Sequence, residues 1–225
     1  MIQVPRLYAI LDSAFFPTTE ELIACAEELI ADGCTLLQYR NKSGNARMML
    51  EQARELRRRL PTQNQNPHFS QNQGEMGHPR TDNSIRLVMN DRADLCLGAE
   101  FDGVHVGQED LSPESVRATI GPERWLGVST HNPEQMREAD LTSANYLAIG
   151  PVFSTSSKER PDPVVGLEGV GRARALTRKP LVAIGGITRA NAASVIAAGA
   201  DSVAVISDLL REPRKSAEEF FRILR

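Results

Sequence analysis

Eight short apolar runs recur along the chain, at residues 7–11, 35–39, 86–89, 103–106, 125–128, 146–149, 181–184 and 202–206. Each is too short for a helix and too uniformly apolar for a strand with one wet face, so each predicts a strand buried on both sides. Between them, residues 18–33, 45–60, 112–121, 132–143, 166–177 and 188–200 repeat apolar positions at helical spacing. A shorter helix is predicted at 93–100, and a last one at 216–225 brings Phe220, Phe221 and Leu224 to one face. Punctuation agrees with these limits. Thr18 precedes Glu21 as a capping pair, Pro113 follows Ser112 as a first helical residue, and Gly33 and Gly199 suit C-terminal caps.

Strand followed by helix, eight times over, implies right-handed crossovers and a parallel sheet. Eight units close most economically into a (β/α)8 TIM barrel, an α/β fold, here one domain over residues 1–225. An open doubly wound sheet is the alternative, disfavoured because no Gly-x-Gly-x-x-Gly follows the first run. Residues 61–84 break the rhythm with a Gln-, Asn-, Pro- and Gly-rich insertion that reads as disordered. It joins a helix to a strand and so belongs at the N-terminal rim, away from the chemistry of such barrels. Its His68 and His78 lack the Cys or carboxylate neighbours of a metal site.

The chain is 225 residues long, 41% apolar but only 5% aromatic, which fits a core of Val, Ile, Leu and Ala. A formal charge of −3 gives no electrostatic case for nucleic acid, so any polyanionic ligand must meet local lysines and arginines. Cys25, Cys34 and Cys96 are odd in number and lie in apolar contexts, as buried reduced thiols do. No stretch approaches the roughly 18 apolar residues of a membrane span. Residues 1–5 carry no signal-peptide pattern, so the expectation is a cytoplasmic protein acting on small molecules, its oligomeric state open.

The residues after each run differ in kind from those before it, and a barrel collects the strand ends at one rim. Asn90-Asp91 comes after the third run, and Gly107-Gln108-Glu109-Asp110 after the fourth. Neighbouring strands lie about 5 Å apart, so Asp91 and Asp110 can share one Mg²⁺ that keeps waters and a substrate phosphate. The competing account makes Asp91 a helix cap and Asp110 a turn former. Gln38, Arg40 and Lys42 alternate, so their side chains share a face on which one anion can sit. Gly185-Gly186 after the seventh run and Ile206-Ser207 after the eighth occupy the usual phosphate position of barrels. The loop 150–158 crowds Ser154, Thr155, Ser156 and Ser157 beside Lys158 and suits a diphosphate and a lid. His105, inside the fourth run, reads as a packed layer residue, whereas His131, after Ser129 and Thr130, sits nearer the rim.

In these stretches the chain resembles the thiamine-phosphate synthase family, over nearly its whole length apart from 61–84. The resemblance rests on Gln38-x-Arg40-x-Lys42, Asn90-Asp91-Arg92, the run from Gly103 through Asp110, Gly150-Pro151-Val152-Phe153, the run from Val182 through Ile187, and Val205-Ile206-Ser207. It implies coupling of 4-amino-2-methyl-5-hydroxymethylpyrimidine diphosphate to 4-methyl-5-(2-hydroxyethyl)thiazole phosphate, or its carboxylated precursor, giving thiamine phosphate and diphosphate. It further implies Mg²⁺ at Asp91 and Asp110, and the pyrimidine diphosphate at Gln38, Tyr39, Arg40, Asn41, Lys42, Asn90, Ser129 and Lys158. The thiazole phosphate falls to Thr155, Ser156, Ser157, Gly186, Ile206 and Ser207, and catalysis to Arg40, Lys42, Ser129 and Lys158. The family's Thr-x-Thr-Lys is here Thr155-Ser156-Ser157-Lys158, which keeps the hydroxyl. Two rivals stand beside this: thiazole tautomerase, a sister enzyme using a histidine such as His131, and a non-catalytic sensor of thiamine precursors.

Overall fold

Leu7, Ala9 and Leu11 of strand β1 (Leu7–Asp12) point outward into a helix layer while Tyr8 and Ile10 point to the barrel axis, and both sets are buried. That two-sided burial is why the run shows no polar alternation. The same holds for β2 (Leu36–Arg40), β3 (Arg86–Asn90), β4 (Gly103–Val106), β5 (Trp125–Thr130), β6 (Tyr146–Ile149), β7 (Leu181–Ile184) and β8 (Ser202–Val205). In this computed structural model, which describes residues 2–60, 84–155 and 162–225, every strand pairs in parallel with the next and β8 returns to β1. The barrel predicted from the run pattern is the observed fold.

The outer layer consists of α1 (Thr19–Ala31), α2 (Ala46–Arg59), α3 (Ala93–Gly98), α4 (Pro113–Ile120), α5 (Pro133–Asp140), α6 (Gly166–Leu176), α7 (Ala192–Ala197), α8 (Ser207–Leu210) and α9 (Pro213–Ile223). Thr18 Oγ1 accepts from Glu21 N at 3.2 Å and Ser112 Oγ from Ser115 N at 3.2 Å, so the caps lie where the residue types place them. The helix expected over 188–200 is shorter. Asn191 Oδ1 accepts from Thr188 N at 2.8 Å and folds 188–191 into a turn. Two elements are additional, a 3₁₀ turn at Ser13–Phe15 and the single turn α8. Residues 61–83, with His68 and His78, lie outside the described residues. Among the described residues no helix is long and apolar enough to cross a membrane. Cys25, Cys34 and Cys96 are all buried, and burial pushes each thiol up to about 12.

The N-terminal rim is held by one device used three times. A polar residue just before an even-numbered strand, Asp102, Asn145 or Asp201, accepts the backbone N–H of Leu87, Leu126 or Leu181 at 2.7, 2.8 and 2.8 Å. An arginine from the helix layer, Arg57, Arg117 or Arg174, grips that same side chain at 2.9, 2.6 and 2.7 Å. Just above, Arg86 stacks on the Trp125 ring, 4.6 Å from its centroid, and plugs the bottom of the barrel. In barrels of this kind the opposite rim carries the chemistry.

Candidate active site

A layer of hydroxyls and one imidazole fills the barrel above Trp125. Tyr8 and Tyr146 hydroxyls lie 3.0 Å apart, Gln38 Nε2 donates to Tyr8 Oη at 2.9 Å, and His105 bridges Tyr146 Oη (3.1 Å from Nδ1) to Ser129 Oγ (2.8 Å from Nε2). Burial pushes the His105 imidazole down to about 4 and the hydroxyls of Tyr8 and Tyr146 up. His105 is thus a layer residue, as its place inside a strand indicates. Gly127 provides the room, because a Cβ there would meet Tyr146 Cζ at 2.1 Å and His105 Nδ1 at 2.4 Å. Gly127→Ala is therefore expected to destabilise the protein by about 1–3 kcal/mol, seen as a lower urea midpoint with unchanged slope.

One step further along the strands lies the charged mouth. Arg40 of β2 pairs with Asp12, which stands beside it in register at the end of β1 and is almost wholly buried. Asp12 also accepts from Ala14 N at 3.1 Å, which fixes the carboxylate and through it the guanidinium. Residues from different strands thus meet: Lys42 Nζ lies 2.5 Å from Asp91 Oδ2, and Asp91 faces Asp110. Burial first, then the charge of Asp110, hold the Asp91 carboxyl above the usual range against the pull of Lys42. Asp91 does not cap α3, whose N-cap is Arg92; it sits in the left-handed region at φ 63° with its N–H on His105 O at 2.8 Å. A non-glycine residue held there is a mark of functional constraint. Asp110 does close a turn, accepting Gly107 N at 2.7 Å.

The row from Gln38 to Lys42 splits by strand parity. Gln38 and Arg40 face the axis, whereas Tyr39 and Asn41 are buried on the helix side and bonded to Gln52 of α2 at 2.5 and 3.0 Å. The Tyr39 and Asn41 side chains thus lie on the opposite face from Gln38 and Arg40, because adjacent residues of a strand cannot share a face. Asn90 alternates with Val88 of the axial cluster and ends β3 beside His105, and Ser129 ends its own inward row on β5.

On the far side, Gly185 (φ 99°) and Gly186 (φ 64°) let the loop after β6 lie against the loop after β7. A Cβ on Gly186 would meet Ser154 O at 2.5 Å, and Phe153 N donates to Gly185 O at 3.0 Å. Ile206 and Ser207 follow β8 next to them, with Ser207 opening α8. Arg189 and Asp208 brace these two loops through three contacts of 2.8–3.1 Å, a tie that residue spacing could not reveal. Thr155 is the last described residue of the loop, and Ser156, Ser157 and Lys158 lie outside the described residues. His131 is held at the ends of two loops, its Nδ1 at 2.6 Å from Gly150 O and its Nε2 at 3.5 Å from Asp162.

Comparison with known proteins identifies the family. The family model described as thiamine monophosphate synthase matches residues 75–209. A thiamine-phosphate synthase from Koribacter versatilis is 54% identical across 99% of this chain and 97% of its own length. Another from Chloroflexus aurantiacus is 38% identical over 90% and 83%. The solved thiamine phosphate pyrophosphorylase from Pyrococcus furiosus superposes with a TM-score of 0.76 at 31% identity, covering 97% of this chain and 95% of that one. With the Gln/Arg/Lys row, the Asp91–Asp110 pair and the Gly-Gly loop all at one barrel mouth, and relatives matched end to end, the chain belongs to the thiamine-phosphate synthase family of transferases in thiamine biosynthesis.

Proposed function

We propose that the mouth of this barrel joins 4-amino-2-methyl-5-hydroxymethylpyrimidine diphosphate to 4-methyl-5-(2-hydroxyethyl)thiazole phosphate, or to its carboxylated precursor, releasing diphosphate. The observation that carries this reading is the pairing of two facing carboxylates, Asp91 and Asp110, with cationic Arg40 and Lys42 on the adjacent strand end. A polyanion reaching such a mouth needs both features, cations for its oxygens and ligands for a metal.

Two carboxylates without a third protein donor fit Mg²⁺, which keeps waters and phosphate oxygens; among the described residues no group of three or more His, Cys, Asp or Glu is placed to hold a metal ion. Burial does most to raise the Asp91 carboxyl and the charge of Asp110 adds to it, so both costs of charging Asp91 would be eased by a shared cation. Held by Asp91 and Asp110, Mg²⁺ would supply charge neutralisation of the leaving diphosphate.

The chain's own residues then divide the work. Arg40, pre-oriented by Asp12, and Lys42 offset the charge that grows on the diphosphate as its carbon–oxygen bond breaks, and Lys158 adds to them in this reading. Ser129 and Asn90 bond diphosphate oxygens, and Gln38, deeper in the barrel, meets the pyrimidine ring. The thiazole phosphate lies against Thr155, Ser156, Ser157, Gly186, Ile206 and Ser207, which aims the ring nitrogen at the pyrimidine methylene. That nitrogen already carries its lone pair, so carbon–nitrogen bond formation needs no side-chain base. The neutral, buried His105 agrees with such chemistry.

Thiamine phosphate formation by the purified protein tests this directly. Product is expected only with both substrates and Mg²⁺ present, and EDTA should abolish it. Undiminished product in excess EDTA would remove the metal from the reading, and no product from folded protein would remove the reaction.

A further inference from the structure

Gln38, Tyr8, Tyr146, His105 and Ser129, from five different strands, form one unbroken chain of hydrogen bonds of 2.8–3.1 Å across the barrel. Both ends lie on the axial faces of their strands, Gln38 beside Val88 and Ser129 beside Ala148. Each of the three inner groups has a single proton to pass along, because a tyrosine hydroxyl carries one and a neutral imidazole carries one. A choice made at one end therefore favours the matching choice at the other, since any other pattern leaves a buried hydroxyl proton unpaired.

With Gln38 Nε2 donating to Tyr8, as observed, Tyr8 donates to Tyr146, Tyr146 to His105 Nδ1, and His105 Nε2–H to Ser129 Oγ. Ser129 then keeps its own proton for a ligand, and Gln38 keeps its carbonyl oxygen for one. In the opposite direction Gln38 points its carbonyl inward and its amide hydrogens outward, and the Ser129 proton is spent on His105 Nε2. A mixed arrangement, with Gln38 and Ser129 both donating inward, makes Tyr8 or Tyr146 accept twice and leaves that buried hydroxyl's own proton unpaired, at a cost of about 1–3 kcal/mol. Gly127 shows that the chain is built rather than incidental, because any side chain at that position would displace both His105 and Tyr146.

We infer that Tyr8, Tyr146 and His105 are positioning residues that lock the polarity of Gln38 and Ser129, selecting a ligand that donates at Gln38 and only accepts at Ser129. This rests on the proposed reaction, whose pyrimidine bears an exocyclic amino group and whose diphosphate offers only acceptors. Both demands are met by one direction of the chain and neither by the other. A 4-oxo pyrimidine diphosphate, with an acceptor where the amino group was, would need the reversed chain and would lose the Ser129 donor.

The test compares kcat/KM for the 4-amino substrate and its 4-oxo analogue in the wild type, Tyr146→Phe and Tyr8→Phe, each checked for a cooperative thermal transition. Phenylalanine keeps the ring and the packing at Gly127 while cutting the chain at a different link in each variant. Wild-type preference for the amino compound is expected to be about 10³-fold or more, because a site built to bond a polar group rejects the wrong partner strongly. In either variant that ratio should shrink by about tenfold or more, since Gln38 is freed to turn. The ¹⁵N shifts of His105 in the wild type give a second readout that needs no variant, and Nε2 should carry the proton. A wild type without preference, a rate loss with unchanged ratio in the folded variants, or a proton on Nδ1 would each overturn the inference. Failure of the wild type to use the amino compound would instead overturn the reaction.

Discussion

Asp91→Asn is expected to lower kcat/KM for thiamine phosphate formation by about 10²–10³-fold, the usual cost of removing one group that stabilises developing charge. Stability should hardly change. Asparagine tolerates the left-handed backbone at φ 63° and keeps the N–H bond to His105 O, so the turn survives. The amide also removes a carboxyl that burial and Asp110 disfavour in charged form, which offsets the lost contact with Lys42. Alanine at this position is a poorer probe, because it adds backbone strain to the chemical loss. Turnover at saturating and at limiting Mg²⁺, measured beside a urea titration, separates the two effects. Wild-type turnover at limiting Mg²⁺ would show that Asp91 holds no metal.

The second large effect is on stability against pH. His105 titrates near its usual 6.5 once unfolded but near 4 in the barrel, because burial disfavours the imidazolium and the nearby Asp110 recovers only part of the loss. Between those values the unfolded chain binds a proton that the folded one refuses, so stability rises with pH through this window. Acidification from about pH 6.5 to 4 should cost on the order of 3 kcal/mol through this one residue, and further acidification no more through it. His105→Gln, although less stable at neutral pH, should show a flatter acid flank, which urea titrations at several pH values would measure. Parallel curves for the two proteins would mean that His105 is not held neutral. Other carboxylates contribute to both proteins alike and cancel in the difference.

The facing carboxylates and the cation row were legible in the chain for a simple reason. Asp91, Asp110, Arg40 and Lys42 each come after an apolar run, and in a parallel barrel that position means standing at the mouth. Tyr39 and Asn41, which the resemblance placed beside the pyrimidine diphosphate, turn their side chains toward Gln52, a parity that the motif alone does not show. Asp12 was missed because its significance is a partner 28 residues away, brought alongside by the β1–β2 register. Tyr8 and Tyr146 look like ordinary core aromatics in the chain, being 138 residues apart, and only closure of the barrel sets their hydroxyls 3.0 Å from each other.

By itself, then, the order of apolar runs and helical spacers determined the (β/α)8 barrel, and the polar residues after those runs determined which rim gathers the charged side chains. Such patterns are local, since burial on both faces and helical period are written in consecutive residues. What the tertiary structure alone decided was which side chains converge: Asp12 on Arg40, Asp91 on Asp110, and the line from Gln38 through His105 to Ser129. These contacts join residues far apart in the chain, and their geometry exists only once the eighth strand pairs with the first.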